Sequence, residues 1–426
     1  MSAFPASRAA PEATIAQGCG RANGRFDRDL NPVHGRDAPP RRSREGRRDG
    51  PSRNWGALGM KILSILAGYS SGGAETLARN LAKEFVPRGH RCHVAVVSNA
   101  VDIGNCPDFQ ASFERDLKAY GITHEVIGDA ARRNPLLGGA RLRRIVRRFR
   151  PDVIHAHTGH GLMFQALSLI RVPTVYTHHN IRMNFPPALF WLFDRFVDRY
   201  VAICGACEMV LHQHVRRPVA LIYNGVPASF ASDEVRHAPA RHPVVLAVGA
   251  LTPQKDYPTL VRAAALVVPL FAQQGRRISF RIAGSGPAEA EMRRTVADTG
   301  MEERVGLLGT RTDISRLMAE ADLLANASLY EGFPIALIEA AMSSLPVVAT
   351  DVGGNGEIVI DGESGRLVPP RRPDLLAEGI VELCSDAETY AAFSARARAA
   401  SQRFTIERCA DEYLRLYEEI AWRPAS

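Results

Sequence analysis

The sequence predicts an α/β protein built from two doubly wound, Rossmann-like domains. From Met60 onward, short β-branched runs alternate with helical stretches, as in βαβ units that form parallel sheets. The strand candidates fall into two series, which a stretch rich in Pro, Ala and His at 227–243 separates. A length of 426 residues allows two or three domains with separate cores. We expect the ligand cleft between the two domains, at the carboxyl ends of the strands.

The strand candidates can be read directly from the sequence. The first series is KILSILAG, CHVAVVS, HEVIG, DVIHAHT, TVYTHHN, RYVAIC and ALIYNG. The second series is VVLAVGAL, ISFRIAGSG, VGLLGT, DLLANAS, PVVATDV and GRLVPP. Because both series alternate with helical stretches, each predicts its own parallel sheet.

Residues 1–59 are expected to form a disordered, Arg-rich extension. They contain eleven Arg, no Lys and six Asp or Glu, so they carry 11 − 6 = +5 of the net charge of +8 and leave +3 for the rest. Their composition lacks apolar periodicity, which is typical of disorder. Such a basic arm could contact nucleic acid or anionic lipid. The strand that opens at Met60 favours a dispensable extension or a misassigned start instead.

Composition predicts an ordinary globular protein of the cytoplasm. Hydrophobic residues make up 46% and charged residues 23% of the chain. No apolar run approaches the roughly 20 residues that span a bilayer, and the first residues lack the apolar core of a secretory signal. Of seven cysteines, only Cys204 and Cys207 form a CxxC, which is weak evidence for a metal site. Free thiols in a reducing compartment are the simpler interpretation.

A glycine turn follows a strand in each half. Gly72 and Gly73 precede one amphipathic helix, and Gly284 and Gly286 precede another. Glycine allows close backbone approach, and a helix start presents free N–H groups to an anion. Neither turn is a strict GxGxxG, and no acidic residue follows near the end of VAVVSNAV, which argues against a nicotinamide dinucleotide. Taken alone, either turn could be a packing device.

The second half contains further features that suit a diphosphate. Lys255 follows one strand, the GSGP turn follows another, and the helix start at EGFP follows a third. These loops converge on one edge of a parallel sheet. The amides of Phe333 and Ile335 can meet phosphate there, whereas Pro334 has no N–H. For a single loop lysine, plain solvation is the alternative.

Glu331 and Glu339 stand on either side of this helix start. A carboxylate is repelled by phosphate, so each is expected to accept hydrogen bonds from a sugar diol. A ligand with sugar on both sides of its phosphates is a nucleotide-sugar. A solvated helix edge is the alternative reading of the two glutamates.

These motifs together resemble a known family. LYEGFPIALIEAAMSS is similar to the E-x7-E signature of retaining glycosyltransferases of the GT-B fold, family four. GGAET, DVIHAHT, YTHHN, YNGV, PQKD, AGSGP and FTIERCADEYLRLYEEI also fit, so the resemblance extends from Met60 to about Ile420. It implies an acceptor-side domain at 60–235, a donor-binding domain at 236–405, and a final helix at 406–426 that packs back on the first domain.

The resemblance also implies roles for individual residues. Glu331 would contact the transferred sugar, Glu339 the nucleotide ribose and Lys255 the diphosphate. His179 would lie near the reaction centre, with His178 pointing the other way along its strand. Catalysis would involve His179, Lys255 and Glu331. The remaining donor-binding positions would be Gly72, Gly73, which approaches the leaving phosphate, Gly284, Gly286, Gly332, Phe333, Pro334, Ile335 and Glu339.

Family members are metal-independent, which implies that neither metal nor cofactor takes part. The only Asp-x-Asp is Asp27-Arg28-Asp29, within the extension. One departure concerns Ala250, which stands where the family usually has arginine. Arg281 or Arg311 could replace that cation, or lysine alone could suffice. A catalytically impaired nucleotide-sugar-binding protein is therefore the alternative function.

The expected partners are a nucleotide-sugar donor and a glycan or lipid-linked acceptor in cell-surface polysaccharide or glycolipid assembly, without nucleic acid. A phosphorylase-like transferase with a small phosphorylated acceptor is the rival enzyme. Arginines alternate with apolar residues in RLRRIVRRFR at 141–150, which fits either a surface helix or a peripheral contact with the anionic inner membrane. The aromatic stretch FPPALFWLFDRFV is expected to be mainly core.

Overall fold

A computed structural model describes residues 59–421, apart from 71, 184 and 233. The expectation of disorder for the N-terminal extension therefore falls, except for Gly59, outside the described residues. The described chain contains two parallel α/β sheets, which confirms the predicted fold class.

The first sheet has the strand order β3-β2-β1-β4-β5-β6-β7, and all its pairs are parallel. Its strands are β1 (Lys61–Gly68), β2 (Arg91–Ser98), β3 (Thr123–Val126), β4 (Val153–Ala156), β5 (Thr174–His178), β6 (Arg199–Ala202) and β7 (Val219–Leu221). The helices that accompany it are α1 (Gly73–Phe85), α2 (Pro107–Ala119), α3 (Ala130–Arg133), α4 (Pro135–Phe149), α5 (Gly159–Ser168), α6 (Leu189–Phe193) and α7 (Gly205–His212).

The second sheet has the order β10-β9-β8-β11-β12-β13 and is also parallel. Its strands are β8 (Val244–Val248), β9 (Ser279–Ala283), β10 (Val305–Gly309), β11 (Leu323–Asn326), β12 (Val347–Thr350) and β13 (Gly365–Val368). The remaining helices are α8 (Tyr257–Gln273), α9 (Glu289–Asp298), α10 (Ile314–Glu320), α11 (Ile335–Met342), α12 (Asn355–Ile358), α13 (Pro373–Ser385), α14 (Ala387–Ser401) and α15 (Ile406–Ala421).

Two predicted strands of the first sheet extend past the observed strands at their carboxyl ends. DVIHAHT runs to Thr158, whereas β4 ends at Ala156, and TVYTHHN runs to Asn180, whereas β5 ends at His178. The residues beyond these ends leave the sheet and turn into loops. Strands β4, β11 and β12 are buried along their whole length, as expected of central strands covered on both faces.

The last helix, α15, packs against the first sheet although it follows the second in the chain. Tyr417 Oη lies 2.6 Å from His155 Nδ1, and Tyr413 Oη lies 2.9 Å from Thr177 Oγ1. All four side chains are buried. Since a buried polar group without a partner is costly, these bonds fix α15 in register on the sheet.

Two further contacts join the sheets. Asn224 donates to the Phe333 carbonyl oxygen at 2.8 Å, and Glu357 accepts from the Gly205 amide at 2.9 Å and from Tyr223 Oη at 3.0 Å. These hydrogen bonds connect residues of the first domain with residues of the second domain, so specific polar contacts hold the two domains together. None of the described helices combines the length and apolar character needed to cross a membrane.

Candidate functional site

A cavity of about 1470 Å³ lies between the two sheets. The loops that border it follow the carboxyl ends of strands in both halves, where a doubly wound sheet holds its ligand. The predicted site residues that line it are Gly72, Gly73, His179, Lys255, Gly284, Glu331, Gly332, Phe333, Pro334, Ile335 and Glu339.

Gly286 does not belong to this lining. A Cβ at this position would lie 2.4 Å from the carbonyl oxygen of Leu251, so glycine is required by backbone packing below the turn. Gly284 also packs closely, with φ +155° and only 1.9 Å between an added Cβ and the Gly249 oxygen, but it still borders the cavity. Of the second turn, only the first glycine therefore faces the ligand space.

The loop between β1 and α1 brings the first domain to the cavity. α1 begins at Gly73, where a Cβ would lie 3.7 Å from Ile335 Cδ1 of the second domain. Glycine at position 73 keeps this narrow space free of a side chain. The arrangement lets a ligand held by the second domain approach the start of α1 closely.

Lys255 and Glu331 form a buried ion pair at the floor of the cavity. Lys255 Nζ lies 2.5 Å from Glu331 Oε1, and Ser328 Oγ donates to the same oxygen at 2.6 Å. Gln254 Nε2 lies 3.4 Å from the other carboxylate oxygen. Only 4% of Glu331 is exposed. A buried carboxylate is costly unless it is paired and hydrogen-bonded, and these contacts meet that requirement.

Glu339 differs because none of the described residues gives its side chain a hydrogen bond or an ion pair. It lies on α11 and is 9% exposed. Burial raises the pKa of Glu339 to about 7, while the nearby Arg79 guanidinium acts in the opposite direction. A carboxylate that is costly to ionise and has no partner is suited to receive hydrogen bonds from a ligand.

The start of α11 offers free amides next to these carboxylates. Pro334 occupies the N-cap, and within the described chain the amides of Phe333 and Ile335 donate to no protein acceptor. Free N–H groups at a helix start favour an anion. The phosphate-binding role that we assign to these amides is therefore compatible with their position.

Histidines from β4 and β5 form the opposite wall. His157 Nδ1 lies 2.9 Å from His179 Nε2, and the rings of His155 and His157 have centroids 3.9 Å apart. Burial and the neighbouring imidazoles keep the pKa of all three groups well below the usual histidine value. These side chains are therefore neutral at pH 7 and are weak bases.

His178 has a different contact from His179, which agrees with the expected opposite orientation of the two side chains. Its Nδ1 lies 3.4 Å from Tyr176 Oη, and burial lowers its pKa to about 4. Strand alternation does give His178 and His179 different partners. Both residues nevertheless border the cavity.

Neither arginine suggested as a second cation is free to act as one. Arg281 pairs with Glu320 at 3.3 Å and does not line the cavity. Arg311 does line it, but Asp313 binds its guanidinium through two contacts of 2.6 and 2.8 Å. Lys255 also lines the cavity, where it is paired with Glu331.

Comparison with known proteins identifies the family. Residues 71–230 match Glycosyltransferase Family 4, and residues 230–400 match Glycosyl transferases group 1. A crystal structure of Anabaena Alr3699/HepE in complex with UDP and glucose superposes with a TM-score of 0.70 at 26% identity, covering 84% of this chain and 99% of that one. The chain belongs to the group 1 glycosyltransferases of the GT-B fold.

The relatives of this group 1 glycosyltransferase are distant. Alpha-D-kanosaminyltransferase of Streptomyces kanamyceticus is 27% identical over 319 residues, which are 67% of this chain and 82% of that protein. The uncharacterized glycosyltransferase MJ1178 of Methanocaldococcus jannaschii is 27% identical over 226 residues, 53% of this chain and 60% of its own length. HepE has also been solved with UDP-glucose, with a TM-score of 0.69 and 27% identity over 84% of this chain and all of that one.

Two residues of the glycosyltransferase cleft were missed by the sequence reasoning. Arg79 lies on α1, six residues after Gly73 and on the face that borders the cavity. His157 directly follows β4 and contacts His179. Helical spacing from the glycine turn could have indicated Arg79, and the carboxyl end of a central strand could have indicated His157.

Proposed function

We propose that this protein is a retaining, metal-independent glycosyltransferase that moves a sugar from a nucleotide-diphosphate sugar to a glycan or lipid-linked acceptor in cell-surface polysaccharide or glycolipid assembly. The buried Lys255–Glu331 pair beside the free amides of α11 is the observation that carries this proposal. HepE, which was solved with UDP-glucose, supports the donor class.

Binding of the donor would separate Lys255 from Glu331, and each would contact a different group of the donor. Lys255 Nζ would contact the diphosphate, together with the Phe333 and Ile335 amides. Glu331 would then accept from a hydroxyl of the transferred sugar. The free energy lost when the ion pair separates is offset because each partner gains a charge-assisted hydrogen bond. Lysine and amides can balance the charge that develops on the leaving diphosphate, which is how the reaction proceeds without a metal in this proposal.

The proton of the acceptor hydroxyl needs a base. The neutral His157 and His179 have pKa values well below that of a free imidazole because of burial, so they accept a proton poorly at pH 7. A phosphate group has a second pKa of about 6 and is the better acceptor. We infer that the glycosidic bond to phosphate breaks, the acceptor oxygen bonds to the anomeric carbon, and the leaving phosphate takes the proton on the same face. That geometry retains the anomeric configuration.

Glu339 would bind the ribose in this scheme. Two hydroxyls of a ribose can both donate to one carboxylate, and such bonds favour the ionised form. Ligand binding would therefore lower the pKa of Glu339 from its raised value near 7 in the free protein. The division of the two glutamates between sugar and ribose remains part of the proposal.

The full chain should be tested first by a thermal-shift screen across nucleotide-sugars. A donor that binds only the folded state raises the melting temperature, by an amount that grows with concentration over Kd. The stabilising donor is then incubated with the protein, and release of the nucleoside diphosphate is followed. NMR of the anomeric proton of the product reports retention. An inverted anomer would contradict the retaining mechanism.

The catalytically impaired binding protein remains a second candidate because Ala250 lines the cavity where the family usually has arginine. Slow hydrolysis of the donor in the absence of an acceptor, abolished by Lys255→Ala, would identify an enzyme. Donor binding by the wild type without release of nucleoside diphosphate over many hours would identify the binder instead.

A cytoplasmic location with peripheral contact to an anionic membrane is also part of the proposal. Helix α4 buries Leu142, Ile145 and Val146, whereas Arg144 and Arg147 are exposed on its other side. Arginine near an anionic surface contributes about 1 kcal/mol per residue. Sedimentation with vesicles containing 30% anionic lipid should fall in the Arg144→Gln/Arg147→Gln variant. Equal binding to neutral vesicles would contradict this contact.

A further inference from the structure

The cleft continues along helix α1 beyond the residues assigned to the donor. Its lining includes Arg79 and Lys83, which stand four residues apart on one face of the helix, and Asp116 from α2. With a rise of 1.5 Å per residue, Arg79 and Lys83 lie roughly 9 and 15 Å along the helix from Gly73. The backbone of this part of the cleft therefore lies about two to three helical turns beyond the start of α1.

The two cations share a single carboxylate. Lys83 Nζ lies 3.1 Å from Asp116 Oδ1, and Arg79 Nε lies 3.4 Å from Asp116 Oδ2. Arg79 Nε is buried, yet the described residues supply it with no hydrogen-bond acceptor of suitable geometry. A buried guanidinium N–H without an acceptor costs free energy, so the position fits one that a ligand completes.

The other acidic groups near this pair do not balance it. Glu84 borders the cleft but accepts from Arg88 Nη1 at 2.7 Å. Glu75 is fully buried, and its pKa is raised by that burial. Glu339 faces Arg79 from α11, but no ion pair within 4.0 Å joins them in the described chain. Arg79, Lys83 and Asp116 together therefore carry a net charge of +1.

Aromatic rings surround the cations. The Arg79 guanidinium carbon lies 5.2 Å from the centroid of Phe113, and Lys83 Nζ lies 4.5 Å from that of Tyr120. Both residues border the cleft, but Phe113 is buried in the core, whereas Tyr120 is exposed. Tyr120 can therefore offer a flat apolar face to sugar C–H groups, and both rings hold the cationic side chains in place.

We propose that Arg79 and Lys83 form a subsite that binds an anionic group, a carboxylate or a phosphate, on the acceptor. The proposal rests on the function proposed above, since it names the chemical class of that enzyme's acceptor. An acid on the acceptor would bind both cations, and its sugar ring would lie against Tyr120. The reacting hydroxyl would then lie toward Gly73, on a different part of the acceptor.

Calorimetry with three small probes tests this subsite. Glucose is the neutral probe, while glucose 6-phosphate and glucuronate carry the two kinds of anion. Each is titrated into the full chain and into the Lys255→Ala variant, where the diphosphate site has lost its cation. We expect glucose 6-phosphate or glucuronate to bind at least about tenfold more tightly than glucose in both proteins, because a charge-assisted hydrogen bond is worth at least that factor.

Arg79→Met and Lys83→Met should each reduce binding of the anionic probe about tenfold, and glucose binding should not change. Lys118→Met is the matched control, because Lys118 is exposed on α2 and does not line the cleft; its effect should stay within about twofold. Lys83→Met decides the result if Arg79→Met fails to fold. Wild-type affinity for the anionic probe should also fall as salt rises.

Equal affinity for glucose and both anions, or an equal loss in the Lys118→Met control, would overturn the subsite. Failure of the proposed function has a different signature. In that case no nucleotide-sugar would bind or turn over, while the probe titrations would still distinguish anionic from neutral sugars.

Discussion

Gly332 lies directly against the carbonyl oxygen of His179, so that a Cβ at position 332 would be only 2.3 Å from that oxygen. The two residues follow strands of different sheets, β5 and β11, and both line the cleft. The contact sets how closely the loop after β11 approaches the histidines that follow β4 and β5. Glycine is therefore required at position 332 for the two domains to meet at this distance.

Gly332→Ala should hold the two walls apart. A displacement of about 1 Å at a reaction centre can cost on the order of a hundredfold in rate, so we expect kcat/KM to fall by about that factor. The loss should appear mainly in kcat. Gly306→Ala is the control, because a Cβ there would meet only one atom, at 3.9 Å. Wild-type rates for Gly332→Ala would show that the closed contact is not needed for transfer.

Replacing the two glutamates should separate sugar binding from nucleotide binding. Glu339→Ala should weaken the stabilising donor and its free nucleoside diphosphate alike by about tenfold or more, the value of one charge-assisted hydrogen bond. Glu331→Gln should spare the affinity for the nucleoside diphosphate and lower turnover. Calorimetry with the free nucleotide gives the first comparison. An equal loss of nucleotide affinity in both variants would contradict the assignment.

Nucleotide affinity should depend on the ionisation of Glu339. Because burial raises its pKa to about 7, affinity for the free nucleotide of the donor should increase between pH 6 and 8 as the carboxylate forms. Glu339→Gln should remove this increase. Titrations at four pH values, in the wild type and in the variant, would measure the difference. A wild-type profile that stays flat over this range would contradict the ribose assignment.

The raised pKa of Glu339 should make the folded protein less stable as pH rises, whereas nucleotide affinity should increase over the same range. A carboxyl whose pKa is raised on folding contributes its stability below the unfolded pKa of 4.5, and that contribution is lost as pH rises through about 7. Glu339→Gln should therefore match the wild type near pH 4.5 and become more stable at pH 8, by at most about 3 kcal/mol. Chemical denaturation at both pH values tests the sign.

Lys255→Ala should nearly abolish transfer, and Ala250→Arg should raise kcat/KM by roughly tenfold. Ala250 is exposed in the cleft, and Arg311, the nearby alternative, is held by Asp313. If Ala250→Arg lowers activity, combining it with Arg311→Ala shows whether like charges repel. A loss that this second change does not relieve would show that residue 250 is not beside the diphosphate.

The order of strands and helices could be predicted because β-branched runs such as DVIHAHT mark central strands without reference to the rest of the chain. The ends of strands such as β4 and β5 could not be predicted, because His157 and His179 contact each other across 22 positions of sequence.

The resemblance predicted Lys255 and Glu331, but it did not predict that they bind each other. Arg79 escaped because arginine on an amphipathic helix is common, and only the packing of α2 and α11 shows that it faces the cleft. Gly286 was assigned to the ligand because a motif does not distinguish a close approach to a ligand from a close approach to Leu251.

The return of α15 to the first sheet has a consequence for synthesis of the chain. His155 and Thr177 emerge from the ribosome more than 200 residues before their partners Tyr417 and Tyr413, which are 262 and 236 positions further along. Until α15 has been synthesised, the side chains of His155 and Thr177 lack their hydrogen-bond partners. The apolar surface on which α15 packs is also exposed. The first domain therefore reaches its final structure only after the second has been made, and a chain that stops before α15 leaves the earliest part unfinished.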